Sequence, residues 1–97
     1  LELIEQVFEG ALESSLFGDV GDDIKVRASA IDNFRVGNSQ DRFVHVTLKI
    51  LSGRMQEQKQ ALSQLVLSKL VDLSLSGCSI SVEVVDIERA SYAKKIM

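Results

Sequence analysis

Proline and tryptophan are absent from the 97 residues, cysteine occurs once, and aromatic residues make up 5%. The single thiol, Cys78, excludes an internal disulfide and any multi-thiolate metal site built by one chain, so a reducing compartment is the default. With four Phe and one Tyr, a base-stacking surface has few rings to draw on. The net charge of −3 also disfavours a polyanionic partner, so nucleic acid is not expected. No apolar run approaches the ~20 residues that span a bilayer, and no basic stretch precedes a short apolar run as in a secretory signal. No membrane partner is expected, and the chain reads as cytoplasmic. Local clusters of Lys and Arg can still hold a small anion.

What is present suits one small soluble domain. The composition is 45% hydrophobic and 26% charged, too apolar for a disordered segment. A chain of this length buries roughly two thirds of its unfolded surface, enough for one core. Ile4, Val7, Phe8, Ala11, Leu12 and Leu16 recur at three- and four-residue spacings opposite Glu2, Glu5, Glu9 and Glu13, which predicts an amphipathic helix over residues 1–17. The Gly- and Asp-rich residues 18–23 predict a loop. Ile24, Val26, Ala28 and Ala30 then alternate with Lys25, Arg27 and Ser29, the period of a strand with one basic face. After a polar connection, residues 43–51 alternate again and are rich in β-branched side chains, so the two strands are expected to form a hairpin with a long loop. Residues 55–75 place Leu62, Leu65, Val66, Lys69, Leu70 and Leu73 at helical spacing, and Gly77 is suited to a C-terminal cap. Ile80, Val82 and Val84 mark a last strand.

The order helix, strand, strand, helix, strand is α+β. It gives the second half of a βαβ-βαβ arrangement complete and the first half without its opening strand. The expectation is a single domain over residues 1–97, N-terminally incomplete, because Leu1 falls inside a helical pattern with no capping residue before it.

The run FVHVTLKILSGRMQEQKQ, a strand reading FVH-x-TLKI, a GR turn and a helix opening with E-x-x-Q/K, closely resembles the middle of the 5-carboxymethyl-2-hydroxymuconate isomerases of the tautomerase superfamily. The likeness extends back through IKVR and forward through ISVEVVDIERASYAKK, covering nearly the whole chain. The resemblance implies a tautomerase-type β-α-β-β-α-β protomer, assembled as a homotrimer with each active site at a subunit interface. It also implies a small carboxylate substrate, no cofactor, and a catalytic proline at the mature amino terminus. No proline is found in this sequence, so no catalytic residue is assigned within it.

Isomerising a conjugated enol or dienoic acid requires a base titrating near neutrality and a cationic site that grips carboxylates and stabilises the dienolate. An N-terminal secondary amine serves as that base when burial or neighbouring cations lower its pKa. Arg54, in the GR turn at the start of a helix, is the leading substrate-binding candidate, because a helix N-terminus favours anions and guanidinium binds carboxylate in bidentate fashion. The resemblance places a substrate-binding arginine there as well. Lys25 and Arg27 share a strand face and form a second positive patch; the resemblance puts arginine where Lys25 stands, and lysine keeps the charge but loses the bidentate geometry. Phe34 is a candidate for the pocket wall or for packing. His45 and Lys49 share a face with Thr47 and are possible supporting residues; nothing at metal-ligand spacing accompanies His45. Tyr92 and Lys94 resemble a tail that contacts a neighbouring subunit. The expected activity is cofactor-independent proton transfer on an unsaturated carboxylic acid in aromatic catabolism; the competing expectation is a non-catalytic trimeric structural or ligand-binding domain of the same fold.

Overall fold

The computed structural model describes residues 2–38 and 41–97. Helix α1 spans Glu2–Glu13, strand β1 Arg42–Leu51, helix α2 Gln56–Val71 and strand β2 Cys78–Ile87, followed by a short 3₁₀ turn at Arg89–Ser91. The strands pair in parallel from Arg42↔Cys78 to Leu51↔Ile87. A parallel pair cannot be closed by a tight turn, and α2 supplies the crossover, so residues 42–87 form one βαβ unit.

Alternation along the strands decides what α2 covers. Val46, Leu48 and Ile50 of β1 and Ile80, Val82 and Val84 of β2 point to one side and join the core around Leu62, Val66 and Leu70. Those three α2 residues, four apart on one helix face, have no solvent exposure at all, and burying each contributes about 1.5–3 kcal/mol. The odd-numbered strand residues His45, Thr47 and Lys49, with Ser79, Ser81 and Glu83 beside them, are exposed on the opposite, helix-free side. Helix α1 packs on α2 through Val7, Gly10 and Ala11. At Gly10 the approach is close enough that a Cβ would stand 3.0 Å from both Cα and Cγ2 of Val66. Glu13 and Lys69 pair across the flank of the two helices, and that contact holds the Lys69 ammonium above its ordinary range.

The α+β class and the two helices agree with the periodicity, and three boundaries are corrected. Residues 24–34 form no ladder. Ile24 and Val26 are half-buried while Lys25 and Arg27 are exposed, so the alternation fixes which side faces inward; a strand needs a hydrogen-bonded neighbour as well, and β1 pairs with β2. The expected hairpin is therefore absent among the described residues, although the segment does run back along β1. Its far end lies at the start of β1, where Phe34 meets Phe43 edge to face at 5.4 Å. The first helix stops at Glu13 rather than near residue 17: the Ser14 hydroxyl donates to the Ala11 carbonyl and accepts from the Leu16 N–H, and Ser15 takes φ 62°. Finally, α2 ends at Val71 with Asp72 as its cap. Gly77, expected as that cap, instead opens β2, where its carbonyl accepts from the N–H groups of Asp41 and Arg42.

Candidate functional site

Parallel strands finish on the same edge, and the segments that leave them meet there. The turn at residues 52–54 links β1 to α2. Gly53 sits at φ +121°, a conformation that favours glycine. The next residue, Arg54, is half-buried and its Nη2 donates to the Leu16 carbonyl at 2.7 Å, so this guanidinium fastens the chain leaving α1 to the start of α2. Its Nε is buried with no partner among the described residues. Met55 N–H donates to Gln58 Oε1 at 2.8 Å, satisfying one of the orphan amides at the helix start.

From the neighbouring strand end comes Arg89, whose Nε donates to the Ser52 carbonyl at 2.5 Å. Ser52 N–H in turn donates to the Ile87 carbonyl at 2.9 Å, which continues the ladder one step past β1. Five residues further on, Lys94 Nζ pairs with Asp23 Oδ1 at 2.9 Å. That hydrogen bond, and then the charge of the ammonium, hold the Asp23 carboxyl below its ordinary range; the Lys25 charge adds a smaller pull in the same direction. Lys94 is raised by the same partner. The tail thus crosses from the end of β2 at Ile87 to the start of the segment bearing Lys25 and Arg27, and the seven residues of chain to Lys94 limit that reach to about 25 Å. The ion pairs among the described residues are His45–Glu83, Lys59–Asp86, Lys69–Glu13 and Lys94–Asp23, so none engages Lys25, Arg27, Lys49, Arg54 or Arg89.

The helix-free side of the sheet holds a different arrangement. His45 Nε2 lies 2.7 Å from Glu83 Oε2 and its Nδ1 lies 2.6 Å from Ser81 Oγ; Thr47 Oγ1 donates to the same Glu83 oxygen at 2.8 Å. A neutral ring satisfies this network with Nε2–H donating to the carboxylate and Nδ1 accepting the Ser81 hydroxyl proton. The bonds from His45 and Thr47 hold the Glu83 carboxyl below its ordinary range. Both ring nitrogens are occupied by groups of the opposite strand, which makes the imidazole a cross-strand tie. Lys49, two residues beyond Thr47, stands opposite Val85 on this side.

Of the residues singled out from sequence, Arg54 lies on the C-terminal edge of the strand pair, and Lys25 lies beside Asp23, which Lys94 ties to the tail leaving that edge. Arg27 follows Lys25 on the same exposed side of its segment. His45 and Lys49 lie on the helix-free side. Phe34 is set apart, because Phe43 and Leu51 are eight residues apart along β1, about 26 Å at strand rise. Tyr92 is exposed, and Lys94 contacts its own chain through Asp23. Sequence reading passed over Arg89, Ser81 and Glu83. An arginine directly after a terminal strand was an available signal, whereas Ser81 and Glu83 acquire meaning only from the register that sets them against His45.

Among the described residues no three His, Cys, Asp or Glu side chains stand together as a metal-ligand set. No curated protein matches the chain. The family model described as 5-carboxymethyl-2-hydroxymuconate isomerase matches residues 1–95, and with a βαβ unit and a cation-bearing strand edge in place, the chain belongs to the 5-carboxymethyl-2-hydroxymuconate isomerase family of the tautomerase superfamily.

Proposed function

We propose that the protein isomerises an unsaturated di- or tricarboxylic acid by cofactor-independent proton transfer, as part of aromatic-ring catabolism, and that it does so as a cytoplasmic homotrimer with sites at subunit interfaces. The family match over residues 1–95 carries the reading. The cations at Arg54, Lys25 and Arg27 support it, because none of them is spent on a carboxylate among the described residues. In this scheme Arg54 grips one substrate carboxylate and stabilises negative charge as the dienolate forms. Lys25 and Arg27 hold another carboxylate or lower the pKa of the base by proximity. Phe34, separated from Arg54 along one chain, joins the site only by way of a neighbouring subunit. His45 acts in support, by tying the two strands together through Ser81 and Glu83, and Lys49 adds positive charge on the same side of the sheet. The proton carrier is the amino-terminal proline implied by the family, a residue outside these 97.

The absence of proline from the sequence favours one alternative, a trimeric ligand-binding domain of the same fold that turns nothing over. Amino-terminal sequencing of the native mature protein, together with an ultraviolet assay on hydroxymuconate-type substrates, separates the two. A terminal proline with turnover is the expected result. A Pro-terminated protein that moves no proton sinks the isomerase reading, and a native chain starting with any other residue leaves the binding domain.

A further inference from the structure

Arg54 belongs to the three-residue turn against which Arg89 packs, and the structure leaves the two differently equipped. Arg54 spends one Nη2 proton on the Leu16 carbonyl and has its Nε buried, so only part of its fork faces outward. Arg89 is exposed and, among the described residues, uses its Nε alone, on the Ser52 carbonyl. Guanidinium has two bidentate edges, Nε with one Nη and the two Nη together. With Nε taken by backbone, the second edge of Arg89 remains whole. The turn beneath is glycine at its centre: a Cβ on Gly53 would lie 3.6 Å from Arg89 Nε and 3.8 Å from its Nη2, so the guanidinium rests against bare backbone. Its own backbone is held on the N-terminal side by the Ser52 N–H donating to the Ile87 carbonyl, and on the C-terminal side by the 3₁₀ turn with Tyr92 N–H donating to the Arg89 carbonyl and by the Lys94–Asp23 pair beyond.

We propose that Arg89 is a specificity-determining residue of the candidate site: it binds, through its two Nη groups, a carboxylate additional to the one held by Arg54, and so selects substrates with three carboxylates over those with two. The proposal rests on the reading of this edge as a carboxylate site. A fixed, singly engaged guanidinium loses little freedom on binding, and its planar fork matches a carboxylate in a way that an ammonium does not.

The test is calorimetric titration of the native full-length protein with glutarate and with tricarballylate, which is glutarate bearing one more carboxylate. The wild type should bind tricarballylate more tightly. Arg89→Gln should weaken tricarballylate by about tenfold to a hundredfold, the range for a charge-assisted hydrogen bond, and leave glutarate within about twofold; Arg54→Gln should weaken both. Arg89→Lys, which keeps charge but not the fork, should recover only part of the loss, and it replaces the Gln variant if thermal melting shows that variant unfolded. Equal weakening of both ligands by Arg89→Gln would assign the residue to holding the tail, and no weakening of either would give the third carboxylate to Lys25 and Arg27; both results overturn the proposal. A wild type that binds neither ligand overturns it too, and takes with it the carboxylate reading of the whole edge, an outcome visible before any variant is made.

Discussion

Arg54 carries two terms of opposite sign. Its hydrogen bond to the Leu16 carbonyl is worth about 1.5–3 kcal/mol, as a bond from a charged donor, while the buried unpaired Nε costs about 1–3 kcal/mol. The two ranges overlap, so Arg54→Ala is expected to change unfolding free energy by no more than about 2 kcal/mol; on a variant shown by its melt to be folded, a rise in KM reports substrate binding, and a parallel fall in kcat adds a role in stabilising the dienolate. Glu83 offers a pH test. Its folded pKa is depressed by the bonds from His45 and Thr47, so the stability it contributes is complete above the ordinary glutamate range and is lost as pH falls through the lowered folded value. Glu83→Gln should accordingly differ from wild type above the ordinary glutamate range, and the two denaturation midpoints should converge as pH falls below it. Residue identity marked Arg54, Lys25 and Arg27 as candidates in the sequence, because a cation beside a turn or on an alternating face is visible in one dimension. Arg89 offered only its place after the last strand, and its contact with Ser52 across 37 positions shows itself in the fold alone.

Between the two helices a single glycine sets the separation. Gly10→Val would regain a few tenths of a kcal/mol of helix propensity, but its Cβ would arrive 3.0 Å from the Val66 Cα, and backbone at the centre of a packed helix cannot step aside. Overpacking of this kind costs about 1–3 kcal/mol, so it outweighs the propensity gain. Chemical denaturation should show a lower midpoint with an unchanged slope. Helical periodicity announced both helices because each buries a stripe set by its own sequence. The expected hairpin failed for the complementary reason: alternation at residues 24–27 encodes a burial side, whereas pairing depends on what lies alongside, and β1 pairs in parallel with a strand that begins 27 residues after β1 ends. Gly77 misled in the same manner, its positive φ of 65° serving the entry to β2.

Taken whole, one chain buries little. Among the described residues six apolar side chains are buried, three of them completely, and the radius of gyration is 14.6 Å against about 12.5 Å expected for a compact domain of this length. Phe34, Phe43 and Val85 remain 47%, 39% and 38% exposed. Association of copies would cover such surface, and it links folding to concentration. The melting temperature should therefore rise with protein concentration over the micromolar range, with analytical ultracentrifugation giving a trimer; a concentration-independent melt of a monomer would remove the interface site from the proposed function. Length and composition suggested one small domain, the order of elements indicated its α+β class, and assembly is an expectation that comes only from the family resemblance.

The parallel ladder has a consequence for how such a protein changes. Because β1 and β2 end side by side, the turns at residues 52–54 and 88–91 are spatial neighbours encoded far apart, and both lie beyond the last rows of the ladder. Ligand preference can drift in either turn while the layer of Leu62, Val66 and Leu70 stays as it is. The fold thus separates the layer that carries stability from the turns that present Arg54 and Arg89.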